Sequence, residues 1–326
     1  MRRLLPVSKP IVAVETRDMS EQEWLEARTR GLGGSDAATV LGLNKWRTPF
    51  ELWLEKTGQV EPVSSDSEAA YFGNLLEDVV AKEFSRRTGK KVRCRNAILR
   101  HPKYDFIRAN VDRLVVGEKA VLECKTTSAF MAQEWKDDQI PDQYIIQMQH
   151  YLGVLGPEYK KGYFAILIGG QKFIWKEIER DDELIQMIFE AEIDFWNNHV
   201  LANVPPALDG SSATEKFLAE RYAKADAEKS VDLDRSYKEK LDRLVELKRI
   251  ISEFEREKKE IENELKNELK EATYGFVPGY RVEWKQVTSN RVDTKKLKSE
   301  FPNIYEKVLK TSSYRRFGVK QLEGDN

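Results

Sequence analysis

Apolar residues along this chain recur with two different periods, and the switches between them mark out its elements. Two short runs, Leu114-Val115-Val116 and Ala120-Val121-Leu122, have the β-branched composition of paired strands. Gly117-Glu118 between them is a Gly-X pair suited to a two-residue type II′ hairpin turn. With that turn Val116 pairs with Lys119, and Asp112 stands directly opposite Glu123 on one face. Lys125 shares that face because strand side chains alternate with period 2, and Cys124 points to the opposite, core face. Ahead of the hairpin the spacing predicts helices. Ser20-Glu21-Gln22-Glu23 is a capping box opening a helix that carries Trp24 and Arg28 and stops at Gly31. A second helix begins at about Asp36, and Thr48-Pro49 opens a third, closed by Gly58. A polar loop at 61–67 precedes a longer helix at 68–87. Its apolar stripe is Phe72, Leu75, Leu76, Val79, Val80 and Phe84, with Glu77 beside it. A strand at 91–99 follows.

Past the hairpin, residues 128–135 read as helical and Pro141 opens a helix to about Leu155. On that helix Tyr144, Gln147, Met148 and Tyr151 share a face, Gln149 points elsewhere, and His150 is a packed or solvated histidine. Residues 162–168 and 171–178 are strands joined by Gly169-Gly170, and 181–201 is an amphipathic helix ended by Pro205-Pro206. The order predicts an α/β (α+β) domain over residues 1–210, a mixed sheet flanked by helices. Beyond it Tyr237, Leu241, Leu244, Ile251, Phe254, Ile261, Leu265, Leu269 and Ala272 recur through a highly charged background, with Lys248 and Lys258 interrupting the seam. Residues 211–273 therefore read as a long, coiled-coil-like helical arm, which either packs on its own domain or self-associates. Residues 274–326, with a strand at 280–287 and a helix at 295–309, form a small basic α/β tail.

Composition narrows the chemistry. The chain has 326 residues, enough for a sizeable core, and a formal net charge of −1, so nucleic-acid binding must come from a local patch. Residues 281–320 supply one: eleven Lys and Arg, including Lys285, Arg291, Lys295, Lys296, Arg315 and Arg316, against four acidic residues. Tyr280, Trp284, Tyr305 and Tyr314 are interleaved with them. The choice there is between phosphate-backbone binding and a solvated charged surface. The first five residues start like a signal peptide, but Pro6, Ser8, Lys9 and Pro10 break any apolar core, and no run approaches membrane-spanning length. A reducing cytoplasm and no membrane partner are expected. Cys94 and Cys124 are too few for an iron–sulfur cluster and, with three histidines, do not make a zinc site; both are expected as buried small hydrophobes.

The hairpin carries the sharpest chemistry. Two carboxylates and a lysine facing one point make a metal site with an adjacent base or water-orienting group. Glu77 is either a solvated edge residue or a group aimed into that site. Gly31-Leu32-Gly33-Gly34-Ser35-Asp36 is a glycine-rich loop leading into a helix, able to offer backbone N–H groups to a phosphate, with Arg28 and the Ser35 hydroxyl beside it. Its plainer reading is a helix–loop–helix corner with Ser35 as N-cap.

Asp112, then Glu123-x-Lys125 on the next strand, with Glu77 on the preceding helix and Tyr144 and Gln147 on the following one, resembles the PD-(D/E)XK nuclease core. Gly33-Gly34-Ser35-Asp36-Ala37-Ala38, Leu41-Gly42, Thr48-Pro49-Phe50-Glu51-Leu52-Trp53, Gly73-Asn74-Leu75-Leu76-Glu77 and Gln147-Met148-Gln149-His150-Tyr151-Leu152 resemble the YqaJ-type viral recombinases. These are phage-type exonucleases similar to phage lambda exonuclease, and the resemblance covers about residues 20 to 200. Val111 stands where the motif name puts proline, away from the ligand positions. The resemblance implies Mg²⁺, replaceable by Mn²⁺, held by Asp112, Glu123 and the Cys124 carbonyl, with Glu77 binding or orienting a second ion or its water. It implies that Lys125 positions or deprotonates the nucleophile, and that Tyr144 and Gln147 contact the attacked nucleotide or orient Lys125. Arg28 and Ser35 would hold a 5′-terminal phosphate. The implied activity is degradation of one strand of linear duplex DNA from a 5′ end, leaving a 3′ single strand for a phage-type annealing protein. A homo-oligomer, by resemblance a trimeric ring, and a phage or prophage origin in a bacterial cell go with it. The basic tail is expected to hold duplex DNA. An endonuclease of the same fold and a non-catalytic DNA-binding protein are the competing readings.

Overall fold

The computed structural model describes residues 9–61, 67–226 and 228–320, so most of the expected polar loop and the signal-like start lie outside the described residues. The chain divides once, into Met1–Leu218 and Ala219–Asn326, where the sequence suggested boundaries at 210 and 273. In the first unit β1 (Ile11–Glu15) precedes four helices: α1 (Glu21–Thr29), α2 (Gly34–Val40), α3 (Pro49–Lys56) and α4 (Glu68–Thr88). Short strands β2 (Val92–Cys94), β3 (Ala97–Arg100), β4 (Arg108–Ala109) and β5 (Arg113–Val115) lead to β6 (Ala120–Thr127). A 3₁₀ segment, Ala129–Trp135, then leads to α5 (Asp142–Leu155), β7 (Lys161–Ile168), β8 (Lys172–Glu179) and α6 (Asp182–Phe195). The last continues in π-helical turns over Trp196–Leu201 before α7 (Ser212–Arg221).

The five-stranded sheet has the order β2-β5-β6-β7-β8, antiparallel except where β6 pairs in parallel with β7. This is the expected α/β class, a mixed sheet flanked by helices. Alternation along β6 separates its two layers. Ala120, Leu122 and Cys124 pack with Val80, Ala81 and Phe84 of α4, whereas Val121 packs with Met148 and Leu152 of α5. Glu123 and Lys125 therefore look towards α5.

Four expectations need correcting. The strand at 91–99 is two strands in different sheets, because β3 leaves β2 to pair with β1 and β4 in a three-stranded sheet of its own. Cys94 is exposed, at the end of the edge strand β2. Only one side of the α4 stripe is buried: Val80 and Phe84 meet the sheet and Leu76 is half-buried, but Phe72, Leu75 and Val79 are turned to solvent. Finally, α2 starts at Gly34 with Gly33 as its N-cap, so Ser35 does not cap it.

The second unit holds α8 (Tyr237–Leu269), β9 (Tyr274–Val277), β10 (Tyr280–Glu283), α9 (Thr294–Glu300) and α10 (Pro302–Val308). At 33 residues α8 is about 50 Å long, and its seam residues Ile251, Phe254, Ile261 and Leu265 are exposed. The expected strand at 280–287 ends at Glu283, and the expected helix at 295–309 is broken by Pro302, which has no N–H to continue it. Among the described residues no helix is long and apolar enough to cross a membrane.

Candidate active site

The hairpin folds in the expected register: Arg113 pairs with Leu122 and Leu114 with Val121. The turn is wider than two residues. Gly117 has the positive φ of +80° that the turn requires, but Val116 donates its N–H to the Lys91 carbonyl at 2.8 Å instead of pairing with Lys119. Glu118 is drawn aside by Lys90 at 2.7 Å and the Tyr163 hydroxyl at 2.8 Å. At the other end Asp112 follows in a bend just ahead of β5, and its Oδ2 accepts the Cys124 N–H at 2.8 Å. The N–H and C=O of one strand residue leave by the same edge, so the Cys124 carbonyl faces Asp112 as well.

Glu123 is the centre of the cluster and is almost fully buried. Its Oε1 accepts from Lys125 Nζ at 2.8 Å and from Gln147 Nε2 at 2.7 Å. Gln147 also donates to the Tyr151 hydroxyl at 2.9 Å, and Lys125 Nζ lies 5.0 Å from the centre of the Tyr144 ring, which stacks on Trp135. Thus α5 delivers Tyr144, Gln147 and Tyr151 to one carboxylate. The other oxygen of Glu123, Oε2, is buried with no hydrogen-bond partner. A carboxylate oxygen stripped of water and left unpaired is costly, and a cation would satisfy it. Burial and the facing charge of Glu123 push the Asp112 carboxyl up to about 7, a second sign that this corner lacks positive charge. Burial works against the charge of Lys125, but Glu123 and Asp112 outweigh it and hold the ammonium above its usual range.

Among the described residues no three His, Cys, Asp or Glu side chains converge as a metal cluster. The donors on offer are two carboxylates and a backbone carbonyl, a hard-oxygen set that suits a small cation keeping several waters. Glu77 lies close enough to Asp112 for that charge, after burial, to raise its pKa. Its carboxylate is tied to Arg113, which also reaches Asp78 at 3.0 Å. Glu77, Asn110 and Asp112 line one cleft with Tyr71 and Phe72 from the exposed end of α4.

A separate cavity of about 180 Å³ joins Asp112 to the glycine-rich loop, lined by Trp24, Arg28, Gly33, Gly34, Ser35, Arg108, Asn110 and Tyr151 among others. Arg28 reaches the Ser35 hydroxyl at 3.5 Å and stacks over Trp24 at 4.8 Å. Gly34 is required by close approach, since a Cβ there would lie 2.5 Å from Tyr151 Cε1. Gly34→Ala is expected to cost about 1–3 kcal/mol of stability in urea denaturation, through displacement of the Tyr151 ring. Arg108, Asn110 and Arg113 had not been singled out from sequence. Strand alternation offered the signal for the first two: Arg108, Asn110 and Asp112 fall on one face while Ala109 and Val111 are buried between them. His150, by contrast, is a core residue, held between the Arg108 carbonyl at 2.7 Å and Glu192 at 2.8 Å. The tail residues Lys285, Arg291, Lys295, Lys296, Arg315 and Arg316 belong to the second unit.

The profile of the YqaJ-like viral recombinase domain matches residues 23–158. Over 311 residues the chain is 61% identical to the uncharacterized protein YqaJ of Bacillus subtilis (strain 168), covering 95% of this chain and 98% of that protein. The chain belongs to the YqaJ-like viral recombinase family. The matched YqaJ segment contains every site residue named above in the first unit, from Trp24 to Tyr151. Among solved structures it is similar to the alkaline exonuclease LHK-Exo of Laribacter hongkongensis, at 22% identity and a TM-score of 0.47, over 56% of this chain and 94% of that one. It is also similar to a phage-related exonuclease from Haemophilus somnus 129PT, at 16% identity and a TM-score of 0.43, over 53% of this chain and 95% of that one.

Proposed function

We propose that this YqaJ-family chain is a Mg²⁺-dependent deoxyribonuclease that degrades one strand of linear duplex DNA from its 5′ end. The 3′ single strand left behind would pass to a phage-type annealing protein. One observation carries the reading: Asp112, the hairpin carboxylate, lines the same cavity as Arg28 and Ser35. A site for hydrolysis and a cradle for a terminal phosphate thus adjoin each other, which is what a nuclease bound to a chain end needs. The orphaned Glu123 Oε2 and the raised Asp112 support a cation held by Asp112, Glu123 and the Cys124 carbonyl, with Mn²⁺ able to substitute. When bound, the ion supplies Lewis-acid polarisation of the scissile phosphate and lowers the pKa of the attacking water.

The chain's own groups do the rest. Gln147 fixes the Glu123 rotamer, and Tyr144 shields Lys125 beneath its ring. Lys125, its ammonium held above the usual range by its carboxylate neighbours, orients water and stabilises negative charge developing on the phosphate. Arg28, braced by Trp24, and Ser35 give the terminal phosphate a charge-assisted and a neutral hydrogen bond. Glu77 and Arg113 form the outer wall, where Glu77 orients a second ion or its water. The tail cations Lys285, Arg291, Lys295, Lys296, Arg315 and Arg316 add sequence-independent phosphate contacts. A homo-oligomer in the bacterial cytoplasm completes the proposal.

The test compares 5′-phosphorylated linear, 5′-hydroxyl linear and closed circular DNA in Mg²⁺. The phosphorylated end should be degraded fastest, the hydroxyl end more slowly and the circle not at all, and Arg28→Ala should erase the difference between the two ends. Cleavage of the circle would establish the endonuclease reading instead.

A further inference from the structure

The ribbon formed by β9 and β10 pairs Tyr274 with Glu283, Phe276 with Arg281 and Val277 with Tyr280. Directly paired residues share a face. One face therefore carries Tyr274, Phe276, Arg281 and Glu283, and the other Gly275, Val277, Tyr280 and Val282. A two-stranded ribbon is marginal alone and gains from burying its apolar side chains. This one leaves them in water: Phe276 is 78% exposed and Tyr280 76%, with Tyr274 and Trp284 each about half exposed. Cations flank the first face, with Arg281 5.6 Å and Lys285 5.5 Å from the centre of the Tyr274 ring. Glu283, the ribbon's one acid, is already bridged by Arg281 at 2.5 Å and Lys285 at 2.6 Å. Both cations keep further donors pointing to solvent.

We propose that the first face of this ribbon is a platform for single-stranded DNA, with bases stacked on Tyr274 and Phe276 and phosphates held by Arg281 and Lys285. Spacing favours a single strand over a duplex. Rings two residues apart on a strand stand about 6.8 Å apart, twice the roughly 3.4 Å spacing of bases along one strand of a duplex. Duplex bases also have both faces covered by their neighbours. Two such rings fit a strand drawn out of its stack, and aromatic stacking tolerates any base sequence. The proposal rests on the nuclease reading for the origin of its ligand, because degradation from a 5′ end leaves such a strand beside the enzyme.

The test measures binding by the full chain of a labelled oligothymidylate of about 16 nucleotides and of a blunt duplex, in EDTA so that no turnover occurs. Tyr274→Ala/Phe276→Ala is expected to weaken oligothymidylate binding about tenfold or more and to leave duplex binding within about twofold. Tyr274→Leu/Phe276→Leu, which keeps the apolar bulk of that face without its rings, should behave the same way. Arg281→Gln/Lys285→Gln should flatten the salt dependence of oligothymidylate binding. Unchanged oligothymidylate binding, or an equal loss on both DNAs, would overturn the proposal. So would a change in sedimentation alone, which would make the ribbon a contact between copies. Loss confined to oligothymidylate in a protein that degrades no linear DNA would keep this inference and remove the nuclease reading.

Discussion

Asp112→Asn is expected to raise the stability of the metal-free protein while removing its nuclease activity. The two effects have one cause. Burial and the neighbouring Glu123 lift the Asp112 carboxyl from its usual 3.8 to about 7, so the folded state holds this proton more tightly than the unfolded chain does. The linked stability is fully present below about pH 4 and is lost as pH rises towards 7. Above that, Asp112 charged beside Glu123 costs the fold up to about 4 kcal/mol. Asparagine removes the charge and still offers an oxygen to the Cys124 N–H, which now reaches Asp112 at 2.8 Å. Urea midpoints of the variant should exceed those of the wild type at pH 8 and meet them near pH 4. Added Mg²⁺ should raise the wild-type midpoint and leave the variant where it was. Degradation of 5′-phosphorylated linear DNA should fall at least about 10³-fold, some 4 kcal/mol of lost transition-state stabilisation. Activity that survives in the variant, or a lower midpoint at pH 8, would mean that Asp112 is not half of a cation site.

The register of this site was legible because it depends on two local signals, a Gly-X pair and period-2 alternation. The shape of its turn was not, because Lys90, Lys91 and Tyr163, which shape it, are remote in sequence and only the folded sheet brings them to Val116 and Glu118. Periodicity likewise marked α4 as amphipathic. It carried no information about which side of that stripe the sheet would take, which is why Phe72, Leu75 and Val79 are exposed while Val80 and Phe84 are buried. Arg113 illustrates the same limit. As one more strand residue it drew no notice, yet it binds both Glu77 and Asp78 and so decides which way the α4 carboxylates turn. Alternation from Arg108 through Asn110 to Asp112 was readable and would have extended the site to the cavity wall.

Lys56→Met should be the most destabilising of the substitutions considered, although Lys56 lies outside the reacting centre. Its side chain is fully buried and donates to Asp36 Oδ2 and to the Arg28 carbonyl, each at 2.9 Å, tying α3 to α2 and to the end of α1. The glycine-rich loop with Arg28 and Ser35 therefore rests on one buried ion pair. Asp36 also meets Arg47 at 3.3 Å and accepts the Gly33 N–H at 3.1 Å. Burial pushes its carboxyl up, but Lys56, Arg47 and Arg28 outweigh that and hold it well below the usual range. Such a group contributes stability above its unfolded value of 3.8 and loses it only in stronger acid. Removing one partner of a buried pair costs about 3–5 kcal/mol, and Arg47 should keep the loss near the lower figure. Without Lys56 the burial of Asp36 is less well opposed, so the deficit should be widest near neutral pH and should shrink below about pH 3 as the carboxyl takes up its proton. Lys56→Met/Asp36→Asn should recover much of the loss, since replacing both charges leaves neither one stranded. The surviving protein should also discriminate less between 5′-phosphate and 5′-hydroxyl ends, because the Arg28 carbonyl has lost its donor. A deficit that keeps its neutral-pH size in acid well below pH 3 would show that packing by the lysine stem, and not its charge, holds the loop beside the site.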